Sequence, residues 1–420
     1  MSFQQGLSGL NATSKNLEVI GNNVANASTY GAKASRAEFA DMYASNIAST
    51  GTSNIGIGVR LAAVSQQFTQ GSISATENPL DVAINGNGFF QLRDTTGALV
   101  YSRNGQFKLD SDGYIVNNGA QKLLGYQADA QGVVIPRAAS ELRLPTAGID
   151  PQATDAVTME MNLDSRSQPT LPAAGGINFD DPATYNKATS LTAYDVKGQP
   201  VAMTYYFQKT GADTWDVYAT ANGTSVVDDG AGNAAPLTTL QFPTTGAAPT
   251  APAAPFTFDV PATTLPDGST TEPITGVSMD FTQSTQYGAL FSVTDVTQTG
   301  YAPGQITSLN IESNGIITAR YSNGLTKAAG QLELASFRNP QGLQAMGGNA
   351  WTSTYASGTP IVGTAGSGNM GQLQSGALEE SNVDLTSELV NMMTAQRVYQ
   401  ANAQTIKTED SIMQTLVNLR

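Results

Sequence analysis

Residues 382–420 read NVDLTSELVNMMTAQRVYQANAQTIKTEDSIMQTLVNLR, without a glycine or a proline. Asp384 fits a helix N-cap, and Glu388 falls in the first turn, where a negative charge meets the positive end of the helix dipole. Apolar residues recur at steps of four and three: Leu385, Leu389, Met392, then Tyr399, Ala403, Ile406, then Met413 and Val417, with Gln396 and Asp410 interrupting. That spacing predicts a helix that packs along a narrow seam against another helix. At 1.5 Å per residue, ~36 residues make a rod roughly 54 Å long. Such a rod is too long and too thinly apolar for burial in one small domain, so it needs a partner.

The other end of the chain supplies one. Residues 1–30, MSFQQGLSGLNATSKNLEVIGNNVANASTY, carry the same spacing through Phe3, Leu7, Leu10, Leu17 and Val24, with Ser14 and Gly21 as small seam positions and Ile20 and Ala27 widening the stripe. This stretch holds one Lys and one Glu and no other charge. A solvated helix carries more charge on its outer face, which predicts neighbours on several sides. The expected assembly interface is therefore Leu7, Leu10, Leu17, Ile20 and Val24 with Leu385, Leu389, Met392, Tyr399, Ile406 and Met413.

Between the ends the text changes to strands. The Asn-Gly turns after Ile84 and Arg103, and the Asp110–Gly113 turn between Phe107–Leu109 and Tyr114–Val116, predict short hairpins over residues 73–145. Residues 31–72 read as a connector, with a short helix expected over 32–48 and a strand over 57–68. Strands are expected at Ala188–Tyr194, Val201–Gln208 and Thr214–Ala219, while the Pro- and Ala-rich stretch Pro243–Pro261 reads as a surface excursion. Strand text resumes at Ala289–Val293 and continues through Ile306–Ile311, Ile316–Tyr321 and Leu332–Phe337. Residues 367–381, rich in glycine, read as the return connector. The expected fold is mixed and mainly β. Terminal helices (1–30, 382–420) pair as a coiled-coil-like inner domain, and a discontinuous β domain (73–145, 285–366) encloses an inserted β domain (146–284).

Charge supports that nesting. Residues 1–145 hold ten acids and ten bases, residues 146–284 fifteen and four, and residues 285–420 nine and six, which sums to the net −14. The acidic middle is a distinct unit facing solvent, and the overall charge argues against nucleic acid. There is no run of 18 apolar residues, so no membrane insertion is expected, and the opening residues lack a secretory signal pattern.

Catalytic chemistry finds little foothold. Cysteine and histidine are absent, which removes thiolate and imidazole nucleophiles, bases and metal ligands. Asp110-x-Asp112-Gly113 starts like a calcium loop but lacks the remaining ligand spacing and closing Glu, and Gly86-x-Gly88 lacks the third glycine and helix of a phosphate cradle. No enzyme, cofactor or metal is expected.

The termini carry a resemblance. Gly9-Leu10-Asn11-Ala12, Ile20 to Ala27 (IGNNVANA) and Thr29-x-Gly31, with Gln374 to Leu385 (QSGALEESNVDL) and Gln396-Arg397-x-Tyr399-Gln400-Ala401-Asn402, are similar to the motifs of the bacterial flagellar axial rod and hook protein family. Glu38–Tyr43, Gly88-Phe89-Phe90, Tyr101–Gly105 and Arg338–Leu343 look most like its hook members. Ala32 departs, since an aromatic is expected after the Gly. The resemblance implies a homopolymer forming the curved hollow hook outside the cell. Its implied partners are distal rod, hook cap and hook–filament junction proteins, and export runs through the flagellar type III apparatus. Other axial proteins (distal rod or hook–filament junction) are the alternative. An extracellular β-domain adhesin is the rival from another class. On this reading the exposed amides of the termini (Asn22, Asn26, Asn391, Gln400, Asn402, Gln404, Gln414) are candidates for a wet, uncharged channel lining.

Overall fold

The computed structural model describes residues 2–42, 56–129, 131–145, 148–170, 177–265 and 268–418. The fold is mainly β, bracketed by helix α1 (Ser2–Ala25) and helix α2 (Leu385–Asn418). It divides into two compact units. The first comprises Met1–Thr146, Thr307–Arg320 and Thr326–Arg420, and the second comprises Ala147–Ile306 and Tyr321–Leu325.

In the first unit, α1 leads into a long antiparallel hairpin of β1 (Ser35–Met42) and β2 (Gly58–Gln66), with Ser35 opposite Gln66 and a bulge at Glu38/Phe39. The helix expected from residue 32 is thus a strand over its described part, and residues 43–48 lie outside the described residues. Ala, Glu and Met favour helix locally, but the cross-strand ladder with β2 overrides so weak a preference.

The first unit's main sheet runs in the order Ile306–Ile311, Ile316–Tyr321, Thr326–Ser336, Lys122–Gln127, Phe89–Arg93, Leu99–Ser102, Ala350–Thr352, Gln344–Gly347. Its core gathers Phe90, Leu92, Phe107, Leu123, Ile317, Leu332 and Leu334. A second cluster holds Phe89, Tyr101, Phe337 and Trp351, with Phe68 packed on it. Phe68, just past β2, meets Phe89 and Trp351 edge-on at 5.6 and 5.5 Å, and Gln66 accepts a hydrogen bond from the Trp351 indole. Each edge-on aromatic pair adds about 0.5–1.5 kcal/mol beyond its burial.

Two local expectations change. β3 (Ile73–Ala75) and β4 (Val82–Asn85) pair with Ala377–Glu379 and Gln372–Ser375, not with the strand after the Asn-Gly turn. Asn85–Gly88 turns the chain from one sheet into another, and residues 367–381, expected as a connector, contain two short strands, Gln372–Ser375 and Ala377–Glu379. The Asp110–Gly113 stretch is a hairpin turn. Asp110 Oδ1 accepts the N–H groups of Asp112 and Tyr114 (both 2.9 Å), and Lys108–Leu109 pairs with Ile115–Val116.

The second unit stacks two sheets. One is ordered Phe256–Val260, Ile274–Asp280, Ala156–Asn162, Ser292–Gln298; the other contains Lys187–Tyr194, Pro200–Lys209 and Thr214–Ala221. Met159, Met161, Tyr205, Phe207, Trp215 and Phe281 fill one core between them. The Pro-rich excursion carries Phe256–Val260, an edge strand, which is where neighbouring prolines are tolerated. The unit extends past residue 284 because Ser292–Gln298 pairs with Ala156–Asn162, and Phe291, Val293 and Val296 pack on its core.

Candidate assembly interface

Helix α2 begins as its sequence demands. Asp384 Oδ1 accepts the N–H groups of Thr386 (2.9 Å) and Ser387 (3.3 Å), and the Ser387 hydroxyl donates to Oδ2 (2.9 Å). The Ser387 hydroxyl and these amides hold the Asp384 carboxyl below the usual carboxylate range. α2 then runs antiparallel to α1. Asn23 Nδ2 donates to Glu388 Oε1 (3.0 Å), Gly9 faces Asn402 and Gly6 faces Ile406. A Cβ on Gly9 would lie 3.0 Å from the Asn402 amide, and one on Gly6 would lie 3.1 Å from Ile406 Cγ1. The glycines therefore set how closely the helices approach. Past Ile406, α2 continues to Asn418, whereas before Gly6 α1 has only Ser2–Gln5 left.

The shared face is not the leucine seam. It consists of Gly6, Gly9, Thr13, Ile20 and Asn23 with Glu388, Ala395, Asn402 and Ile406, and Thr13, Ile20, Asn23 and Ala395 are buried. Of the residues expected at the interface, the structure brings Ile20 and Ile406 to this side. Leu10, Leu17, Val24 and Met392 are half-buried. Leu7 (44% exposed), Leu385 (47%), Leu389 (45%), Tyr399 and Met413 (60%) stay open. The apolar stripes sit about one position round each helix from the glycine face, because small residues permit closer backbone contact than facing leucines would. Asn402, expected among exposed amides, packs on Gly9 instead. An open groove of about 670 Å³, lined by Thr13, Ile20, Phe39, Glu388, Ala395 and Val398, runs between α1, β1 and α2.

Polar clasps fasten the helices to the strands. Asn23 Nδ2 also donates to Ser35 O, and its Oδ1 accepts Ser35 N–H (both 2.8 Å). Asn382 Oδ1 accepts Ala34 N–H (2.7 Å), while its Nδ2 donates to Gln67 O and Thr69 Oγ1 (both 2.8 Å). Deepest is Glu379. Its Oε1 accepts Lys33 Nζ (2.6 Å) and Gly71 N–H (3.0 Å), its Oε2 accepts Arg103 Nη1 (3.2 Å), and its carbonyl accepts Gly31 N–H (2.8 Å). The Lys33 and Glu379 side chains are fully buried and Arg103 nearly so. Burial pushes the Lys33 ammonium and the Arg103 guanidinium below their usual ranges, and the Glu379 charge opposes that shift.

The sequence of each terminal stretch is shared with known proteins. Residues 3–33 match the family Flagella basal body rod protein, and residues 374–419 match Flagellar basal body rod FlgEFG protein C-terminal. Residues 83–149 match the Flagellar hook protein FlgE/F/G D1 domain, and residues 162–301 match the Flagellar basal body protein FlaE D2 domain. Over its full length the chain is 43% identical to the full length of a flagellar hook protein FlgE of Escherichia coli. The chain belongs to the flagellar hook protein family. Among other hook proteins, that of Rhizobium meliloti is 32% identical over all of this chain and 98% of its own. A crystal structure of the Helicobacter pylori hook protein FlgE2 shares the fold at a TM-score of 0.54 and 14% identity, covering 73% of this chain and all of that one.

The family-matched stretches contain the clasp residues, to which sequence reading gave no individual role although Asn23, Arg103, Glu379 and Asn382 stand inside the motifs quoted for the resemblance. Asn23 and Lys33 lie in 3–33, Glu379 and Asn382 in 374–419, and Arg103 in 83–149. Among the five, Lys33 alone lies outside those motifs. Its carboxylate partner, Glu379, is 346 positions away, beyond the reach of any local pattern.

Proposed function

We infer that this chain is a structural subunit of the bacterial flagellar hook, polymerising into a flexible, curved, hollow tube that transmits motor torque to the filament. The observation that carries the reading is the pairing of α1 with α2 through a glycine and amide face, which leaves the apolar stripes of both helices uncovered within one chain. Burying such stripes against further copies is worth about 25 cal/mol per Å² of apolar surface, a strong drive to assemble. Leu7, Leu10, Leu17, Ile20, Val24, Leu385, Leu389, Met392, Tyr399, Ile406 and Met413 are the residues through which copies meet, Ile20 and Ile406 also bracing the pair within the chain. The finer reading adds a distal rod protein, a hook cap and hook–filament junction proteins as neighbours, and the flagellar type III apparatus as the exporter. Its place is the hook, outside the cell body. Among the described residues no helix is long and apolar enough to cross a membrane.

Salting-out of the purified chain followed by electron microscopy tests the reading. Hollow tubes are expected. A chain that stays monomeric, or precipitates without order, overturns it.

A further inference from the structure

We propose that the Lys33–Glu379–Arg103 cluster is a latch that makes the two terminal connectors dock together or not at all. Lys33 stands eight residues past the end of α1 at Ala25, and Glu379 six before the start of α2 at Leu385. Arg103 belongs to the loop after the strand Leu99–Ser102, so three distant segments meet on one carboxylate. Besides Glu379, Lys33 Nζ reaches the Thr69 carbonyl (2.8 Å). Arg103 otherwise lies over the Phe89 ring at 5.2 Å, and its Nε has no hydrogen-bond partner.

The arrangement is electrically lopsided. With Glu379 in place the buried cluster carries one net positive charge; without it, two like charges are buried together. Removing one partner of a buried ion pair costs several kcal/mol because the other is left uncompensated. The N-terminal connector therefore cannot settle Lys33 until the C-terminal connector delivers Glu379. The Gly31 N–H bond to the Glu379 carbonyl and the Asn382 bonds to Ala34, Gln67 and Thr69 then close around the same point. Because α1 and α2 hang directly from these connectors, the latch makes the helix pair all-or-none. A chain that lacks its C-terminal segment leaves its N-terminal helix unanchored.

The test rests on the polymer-forming reading for its sample, and uses salted-out full-length polymers with amide hydrogen exchange. Glu379→Gln is expected to raise exchange across residues 28–34 and 379–385 together by roughly a hundredfold or more. Lys33→Met leaves Glu379 facing Arg103 as a balanced pair, and is expected to change exchange much less. The double variant Lys33→Met with Glu379→Gln restores one net positive charge and keeps an acceptor for Gly71 and Arg103. It is expected to recover most of the protection. If Glu379→Gln fails to polymerise while residues 148–265 of the soluble chain stay protected, that counts as the same loss, and recovery of tubes in the double variant supports the latch. The latch is overturned if Glu379→Gln changes nothing, if one connector responds without the other, or if the double variant is no better than Glu379→Gln. Failure of the unaltered chain to form tubes would count against the hook reading instead.

Discussion

Glu333 sits buried in the strand Thr326–Ser336, and the partner in reach of its carboxylate is the Tyr126 hydroxyl, which donates to Oε1 at 2.8 Å. Burial pushes the Glu333 carboxyl up, with the Tyr126 bond opposing, and burial followed by the same contact pushes Tyr126 up to about 12. A carboxyl whose folded value is raised binds its proton more tightly folded than unfolded, so it stabilises the fold as pH falls through that value and costs stability above it. Glu333→Gln, which can still accept from Tyr126, is therefore expected to raise Tm at neutral pH and to flatten the gain in stability on mild acidification; thermal melts across that range check both. Asn23 behaves oppositely, since its amide closes three hydrogen bonds at a buried position. Asn23→Ala leaves Ser35 N–H and O without those partners and is expected to cost about 1–3 kcal/mol. Asn23→Asp is expected to be worse, because a carboxylate would then face Glu388. Denaturant unfolding of the two variants ranks them.

Among the elements, the helices were legible as helices, but not which side each would offer the other. The four-three spacing of Leu385, Leu389 and Met392 marked an apolar stripe. It said nothing of Gly6 and Gly9, whose role depends on what lies opposite. Gly6→Leu with Gly9→Leu raises helix propensity by up to ~1 kcal/mol per site. Because side chains there would meet Asn402 and Ile406, the pair is nonetheless expected to separate and tube yield to fall. Increased yield would show that the helices do not pair this way in the polymer. The uncovered stripes also predict more helix in the polymer than in the monomer, since helices with few partners are marginal alone. Equal circular dichroism in the two states would contradict this. Strand β1 was misread for a related reason, while β2 lies where a strand was expected: the Ala- and Glu-containing β1 is held by a partner more than a dozen residues on.

At the scale of the molecule, the nested order was legible because composition changes abruptly, with the acids concentrated between residues 146 and 284. The far boundary was not, because Ser292–Gln298 reads as strand in either unit and only pairing decides which. The distinction matters for the deletion that separates a hook subunit from an adhesin. Removal of 147–306 is expected to leave a chain that still forms tubes, of altered curvature by electron microscopy. A cut ending at 284 would leave Ser292–Gln298 without its sheet and is expected to aggregate. The unequal helices carry a last consequence. Because α2 outruns α1 beyond Ile406, the two poles of the helix pair are unlike, and a stack of such subunits has a direction. In the tube proposed above, the two ends would therefore offer different surfaces to whatever meets them.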